Sequence, residues 1–202
     1  MEPVEINAGS WYLRALSAGS AVPGDAAALL RSGVGRPEAR WRIDDRPAVL
    51  ASCADPEIRR WRRRPPAVLA EADAYVRQRA VEWARDQRYT WAVCDPTTGV
   101  MLGEVELAGL DLYQGVADAA CWALPQARGR GMITTAVSAM LRFAFDGLGL
   151  HRVSYAWADG NTASGRVAEK CGFALEGTQR SAWLVDGKRM DVHMAGRLAT
   201  HR

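Results

Sequence analysis

The sequence predicts an α+β (mixed α/β) domain: a central, mostly antiparallel sheet flanked by helices and ending in a β-hairpin. Three observations point there. Between Tyr89 and Leu124, short apolar runs alternate with Asp-Pro and glycine turns, as in a strand meander. Leu69 to Gln87 and Ile133 to Phe145 repeat apolar residues at three- and four-residue steps, as amphipathic helices do. Near the end, Asp186-Gly187 separates two alternating runs, a strong hairpin signal.

The elements follow in order. Trp11 to Leu16 alternates well enough for a first strand. Small residues and glycine turns then leave only a short helix, Gly24 to Leu30, before Pro47 to Ser52 opens a helix with proline in its first turn. Asp55-Pro56-Glu57 opens another the same way. Leu69, Ala72, Tyr75, Val76, Arg79, Ala80 and Trp83 give the next helix one buried face. Strands are expected at Tyr89–Cys94, Val100–Leu107 and Val116–Leu124. After the helix to Phe145, stopped by Gly147 and Gly149, come a strand (Arg152 to Trp157), a helix (Ala163 to Cys171) and the hairpin Phe173–Leu184/Lys188–Leu198. Nothing reads as a repeat or a linker, so 1–202 is expected to be one domain.

Composition narrows the class. With 202 residues and about half of them apolar, the chain can bury a real core. A net charge of +3 implies no committed nucleic-acid partner. The one concentrated run, Arg59-Arg60-Trp61-Arg62-Arg63-Arg64, is either an anion site or a solvated helix end before Pro65-Pro66. The four cysteines are far apart and the three histidines lack metal spacing, so no metal is expected. There is no leader and no long apolar span, so the expected setting is cytoplasmic, with no membrane.

Gln126-Ala127-Arg128-Gly129-Arg130-Gly131-Met132 lies between a strand ending at Pro125 and an amphipathic helix. Glycines let the backbone approach a ligand, and the helix start offers free N–H groups and a positive dipole end. The loop therefore reads as a pyrophosphate cradle flanked by Arg128 and Arg130. It is no Walker A loop, and Thr134 stands where a dinucleotide fingerprint needs its third glycine.

This loop resembles the Gln/Arg-x-x-Gly-x-Gly/Ala segment of the GCN5-related N-acetyltransferase (GNAT) superfamily. A second motif widens the resemblance: Asn161-x-x-Ser164, a short helix ending Glu169-Lys170-Cys171-Gly172-Phe173, then Glu176-Gly177, is similar to the ribosomal-protein-type (RimJ/RimL-like) branch. The resemblance runs from about Tyr89 to Leu198, and against it residues 18–46 look like an insertion. It implies the GNAT fold, a sheet splayed after the strand that precedes the loop, with acetyl-CoA in the split. Main-chain groups of Trp122, Ala123 and Leu124 would pair with the pantetheine arm. Gln126, Arg128, Gly129, Arg130, Gly131 and Met132 would form the pyrophosphate loop, with Asn161 helping to fix the cofactor.

The resemblance also implies transfer to a primary amine of a small molecule or a peptide N-terminus, within a ternary complex. Ser164 stands where relatives place the thiolate proton donor. The base is left among Asp118 and Glu104, with Glu106 sharing a strand face with Glu104. Where ribosomal-type relatives carry a further carboxylate, this chain offers Trp183. His193, in the last strand, is a further cleft candidate, and Cys121 is read as packing. A homodimer, a larger acyl group such as succinyl, and a non-catalytic acyl-CoA- or RNA-binding module all stay open.

Overall fold

The computed structural model describes residues 1, 3–15, 44–62 and 66–200. In chain order the elements are β1 (Ile6–Ala8), β2 (Trp11–Ala15), α1 (Arg46–Ala54), α2 (Pro56–Trp61), α3 (Leu69–Ala84), β3 (Tyr89–Cys94), β4 (Met101–Asp111) and β5 (Val116–Ala123). After a 3-10 turn at Pro125–Ala127 come α4 (Met132–Arg142), β6 (Arg152–Ala158), α5 (Thr162–Lys170), β7 (Ala174–Val185) and β8 (Lys188–Leu198). Among these residues the strands form one open sheet in the order β1-β2-β3-β4-β5-β6-β8-β7. Neighbours are antiparallel except β5 and β6, which run parallel because the loop and α4 carry the chain back across the sheet.

Several expectations shift. β1 is too short to show alternation, and it exists by pairing with β2. β4 runs on to Asp111 through a register shift after Ala108, where exposure erases the alternating pattern. α3 ends at Ala84, and Leu69 is 53% exposed while Ala72, Val76 and Trp83 carry the buried stripe. α4 gives way at Phe143 to one π-helical turn, Phe143–Gly147. That turn sets the Phe143 ring 5.5 Å from Trp91. The expected helix Gly24–Leu30 and nearly all of the 18–46 segment lie outside the described residues.

Each sheet face has its own core. On one, α4 buries Val137, Met140 and Leu141 among Leu13, Trp91, Val105 and Leu107. On the other, α1 to α3 pack Val49, Ile58, Ala72 and Val76 against Ala92, Met101 and Trp122. Burying these faces is what stabilises helices with so little intrinsic drive. A fully buried ion pair crosses this second interface: Arg14 of β2 holds Asp45, just before α1, through contacts of 2.6 and 2.7 Å. Among the described residues no helix is long and apolar enough to cross a membrane, and no group of His, Cys, Asp and Glu could hold a metal.

Candidate active site

β5 and β6 are paired from Val116/Arg152 to Ala119/Tyr155 and then part. The gap opens into a cleft of about 600 Å³. The glycine loop and the starts of α4 and α5 line one part of it, and α2, Tyr75 and Glu104 line another. Of the residues assigned to cofactor by resemblance, Trp122, Ala123, Arg128, Gly129, Gly131, Met132, Asn161 and Ser164 line this cleft; Leu124, Gln126 and Arg130 do not.

The main chain of β5 explains part of that division. The Leu124 N–H is spent on the Leu102 carbonyl at 2.9 Å. An antiparallel ladder turns alternate residues to the same neighbour, so Trp122 also faces β4. Ala123, and Cys121 before it, turn toward the gap.

The loop is shaped by its glycines: Gly129 and Gly131 sit at φ +73° and +74°, a region a side chain resists. Gly131 is the N-cap of α4, which has neither a side-chain cap nor an acid in its first turn. Its first N–H groups therefore stay available to an anion. The two arginines each have partners within the chain. Arg128 donates to Asp55 at 2.6 Å and to the Ala123 carbonyl at 3.2 Å, tying the loop to the N-cap of α2. Arg130 lies 5.0 Å over the Trp11 ring, away from the cleft. The cations that line the cleft without an ion pair among the described residues include Arg166 and Lys170, one turn apart on α5. Their i,i+4 spacing is readable in the sequence, but nothing there shows which way that face of the helix looks.

At the start of α5, the Asn161 side chain accepts from the Ser164 N–H at 3.2 Å, capping the helix and fixing Ser164. The Ser164 hydroxyl lies 2.8 Å from that of Tyr155, which lies 3.3 Å from the Cys121 sulfur. Nothing in the sequence singles out Tyr155, one aromatic among others in an alternating strand. Burial, reinforced by Cys121, holds its hydroxyl well above the ordinary range. Burial likewise pushes the Cys121 thiol up to about 12, so it is no thiolate nucleophile.

The carboxylates are sorted by burial. Glu104 is 3% exposed; its Oε1 accepts from Tyr75 at 2.7 Å and from the Trp122 indole at 3.0 Å, while its Oε2 is buried without a partner. Burial pushes this carboxyl up to about 7, the Glu106 charge adding to the effect and Arg62, Tyr75 and Trp122 opposing it. Glu106 also lines the cleft but is held by Arg88 at 2.7 Å and lies near Arg79 at 3.7 Å. Asp118 lies where β5 and β6 are still paired, outside the cleft lining, so the structure does not bring it to Ser164 and Glu104. Trp183 does line the cleft. His193 does not: its ring packs at a tilt against Trp157, centroids 5.3 Å apart, and bonds Thr178 at 3.1 Å.

Comparison with known proteins agrees with this geometry. The model of the acetyltransferase (GNAT) domain matches residues 39–174. YdaF of Bacillus subtilis (strain 168), named as a ribosomal N-acetyltransferase, is 34% identical over 94 residues, 46% of this chain and 51% of that protein. The chain thus spans about half the length of the curated relative it matches. Among solved structures, the ribosomal-protein-S5-alanine acetyltransferase of Vibrio fischeri superposes with a TM-score of 0.76 at 13% identity, covering 98% of each chain. RimL, a ribosomal L7/L12 alpha-N-protein acetyltransferase solved with coenzyme A, gives 0.75 at 19% identity over 96% of this chain and 98% of its own. Identities that low establish a shared fold. The family match is broader in meaning, for it runs through β3 to β5, the glycine loop, α4, β6 and α5, and by it the chain belongs to the GNAT acetyltransferase family.

Proposed function

We propose that the chain transfers the acetyl group of acetyl-CoA to a primary amine, directly and within a ternary complex. The observation that carries the reading is Glu104: a buried carboxyl, poised near neutrality, with one oxygen unpartnered beside a cleft that the α4 start and glycine loop also line. GNAT enzymes use acetyl-CoA, and in this chain the anion-receptive end is built by Gly129, Gly131, the first N–H groups of α4, and the cations Arg166 and Lys170. Ala123 turns its main chain to the gap, where the pantetheine arm would lie.

In this reading Glu104 takes a proton from the acceptor ammonium, freeing the nitrogen lone pair to attack the thioester carbon. The Ala123 N–H is the main-chain donor for the carbonyl oxygen as charge builds there. The C–S bond then breaks, and the Ser164 hydroxyl gives its proton to the departing sulfur while the second proton released by the new amide nitrogen replaces it, so that the products are the amide and the CoA thiol. A run of donors from the Cys121 thiol to Tyr155 to Ser164 would leave the serine proton pointing into the cleft, which is the orientation this role needs. Asp118, outside the cleft, has no part.

The acceptor is the amine of a small molecule or of a peptide N-terminus; the names of YdaF and RimL support the peptide, and Trp183 in place of a carboxylate supports a departure from their ribosomal substrates. Acetyl is favoured over a larger acidic acyl group because Arg62, which lines the cleft, already lies over Tyr75 and Trp122 and donates to Ser52 at 2.9 Å. Calorimetry with acetyl-CoA, succinyl-CoA and CoA, followed by thiol release with an amine panel, tests the proposal. Acetyl-CoA should bind in the micromolar range and Glu104→Gln should bind it as well while turning over far more slowly. Binding of no acyl-CoA would overturn the reading.

A further inference from the structure

We infer that the acceptor end of the cleft is a subsite for a primary ammonium carried on an aromatic body, which packs against Trp61 and Trp183 while Glu104 receives the nitrogen. This rests on the acetyl transfer proposed above and narrows its acceptor.

The nitrogen's place follows from Glu104. Its Oε1 is fully used by Tyr75 and Trp122, whereas Oε2 is buried with no donor. A buried, unpartnered carboxylate oxygen is costly unless something brings it a donor, and a cation does so best. The same oxygen penalises a carboxylate beside the amine, so a free amino acid is a poor occupant.

The body's chemistry follows from the walls. Tyr75 and Trp122 have their polar hydrogens on Glu104 and the Arg62 guanidinium over their rings at 5.2 and 5.5 Å, so they are parts of the wall already packed. Trp61 and Trp183 are different. Arg60 covers one face of Trp61 at 4.7 Å, and no ring or cation stacks on Trp183 among the described residues. Both are half-buried and line the cleft, one from α2 and one from β7.

An exposed ion pair of 3.4 Å between Arg60 and Asp186 shows that the residue before Trp61 and the turn just after Trp183 lie side by side. Beside them α2 contributes Ile58 and the exposed Glu57 to the lining. Such a wall offers ring faces and apolar surface but little to read a peptide backbone. A flat ring fills it best, and a cation next to a ring suits indole faces as well. The chemistry has two sources, a free arylalkylamine or a peptide with an aromatic first residue.

Two measurements test the inference. First, tryptophan fluorescence of the CoA-loaded chain is titrated with phenethylamine and with hexylamine, a readout independent of turnover. Second, kcat/KM for acetyl transfer is compared for phenethylamine, hexylamine, and the amidated peptides Phe-Ala-Ala and Ser-Ala-Ala. The aromatic acceptor should bind and react about tenfold better than the aliphatic one, as two ring contacts allow. Trp61→Ala and Trp183→Leu should each shrink that ratio to about two. A preference confined to phenethylamine marks the free amine as the source, and one shared by Phe-Ala-Ala over Ser-Ala-Ala marks the peptide. Equal binding of phenethylamine and hexylamine, or a ratio that both variants keep, overturns the inference. Aromatic-selective binding without turnover would uphold the subsite and count against acetyl transfer alone.

Discussion

Glu104→Gln replaces a charge by a neutral group of nearly the same shape, and its effect on stability should depend on pH in a defined direction. Burial raises the folded-state value of this carboxyl from 4.5 to about 7. Each unit corresponds to about 1.4 kcal/mol, so the folded protein carries about 3 kcal/mol of penalty once Glu104 is ionised. Because the folded value is the raised one, the stability that the protonated carboxyl contributes is fully present below the ordinary 4.5 and is lost as pH rises through about 7. Glutamine has no such dependence. Its amide NH₂ finds no acceptor at the Oε2 position, which costs the variant a constant amount at every pH. The informative quantity is therefore the difference in Tm between variant and wild type, followed from about pH 5 to about pH 9. For a chain this long it should move in the variant's favour by roughly 5–10 °C across that interval. Differential scanning calorimetry measures it directly. In parallel, kcat/KM should fall about a hundredfold, and the wild-type acid limb near neutrality should disappear. A Tm difference that stays flat with pH, or moves toward the wild type, would refute the buried, orphaned carboxylate as described.

Other expectations follow from the same geometry. Ser164→Ala and Tyr155→Phe should each lower kcat about tenfold with CoA affinity kept, and the double variant should be no worse than Ser164→Ala; additive losses would show that Tyr155 does not act through the serine. Replacing Arg166 and Lys170 together by Ala should raise the Kd for CoA about tenfold and flatten its salt dependence, whereas an equal loss from Arg130→Ala would contradict the placement of Arg130 over Trp11. Asp45→Ala should cost about 3–5 kcal/mol in urea denaturation by stranding buried Arg14, and Arg14→Met combined with Asp45→Leu should recover much of it; a loss under 1 kcal/mol for the single change, roughly a surface-pair value, would refute the buried pair.

Much of the fold and some of the site are legible in the amino-acid sequence. Periodicity locates α3, α4 and the meander, because burial of one face imposes a repeat of about 3.6 residues on a helix and two on a strand. The glycine loop is legible because left-handed backbone at Gly129 and Gly131 excludes most side chains. The Asn161–Ser164 cap is legible too, since donor and acceptor lie within one helical turn.

Glu104 and Glu106 show where local reading stops. They share a strand face at spacing two, and although the sequence favours Glu104 as a base candidate, nothing local shows what holds either carboxylate. Their difference arises because α3 presents Tyr75 over one and Arg79 near the other, while Arg88, just before β3, takes hold of Glu106. Arg128 and Arg130 likewise look equivalent around Gly129 until Asp55 claims one and Trp11 the other. Tyr155 belongs to the site only because β5 and β6 part just beyond it, and Asp118 is excluded because they have not yet parted there. The chain by itself determined what backbone conformation and local hydrogen bonding require: the elements, the cradle and the cap. Which polar groups are desolvated, paired or left open was decided by contacts between segments distant in sequence, because the cost of burying a charge depends on every group around it and on none of its sequence neighbours in particular.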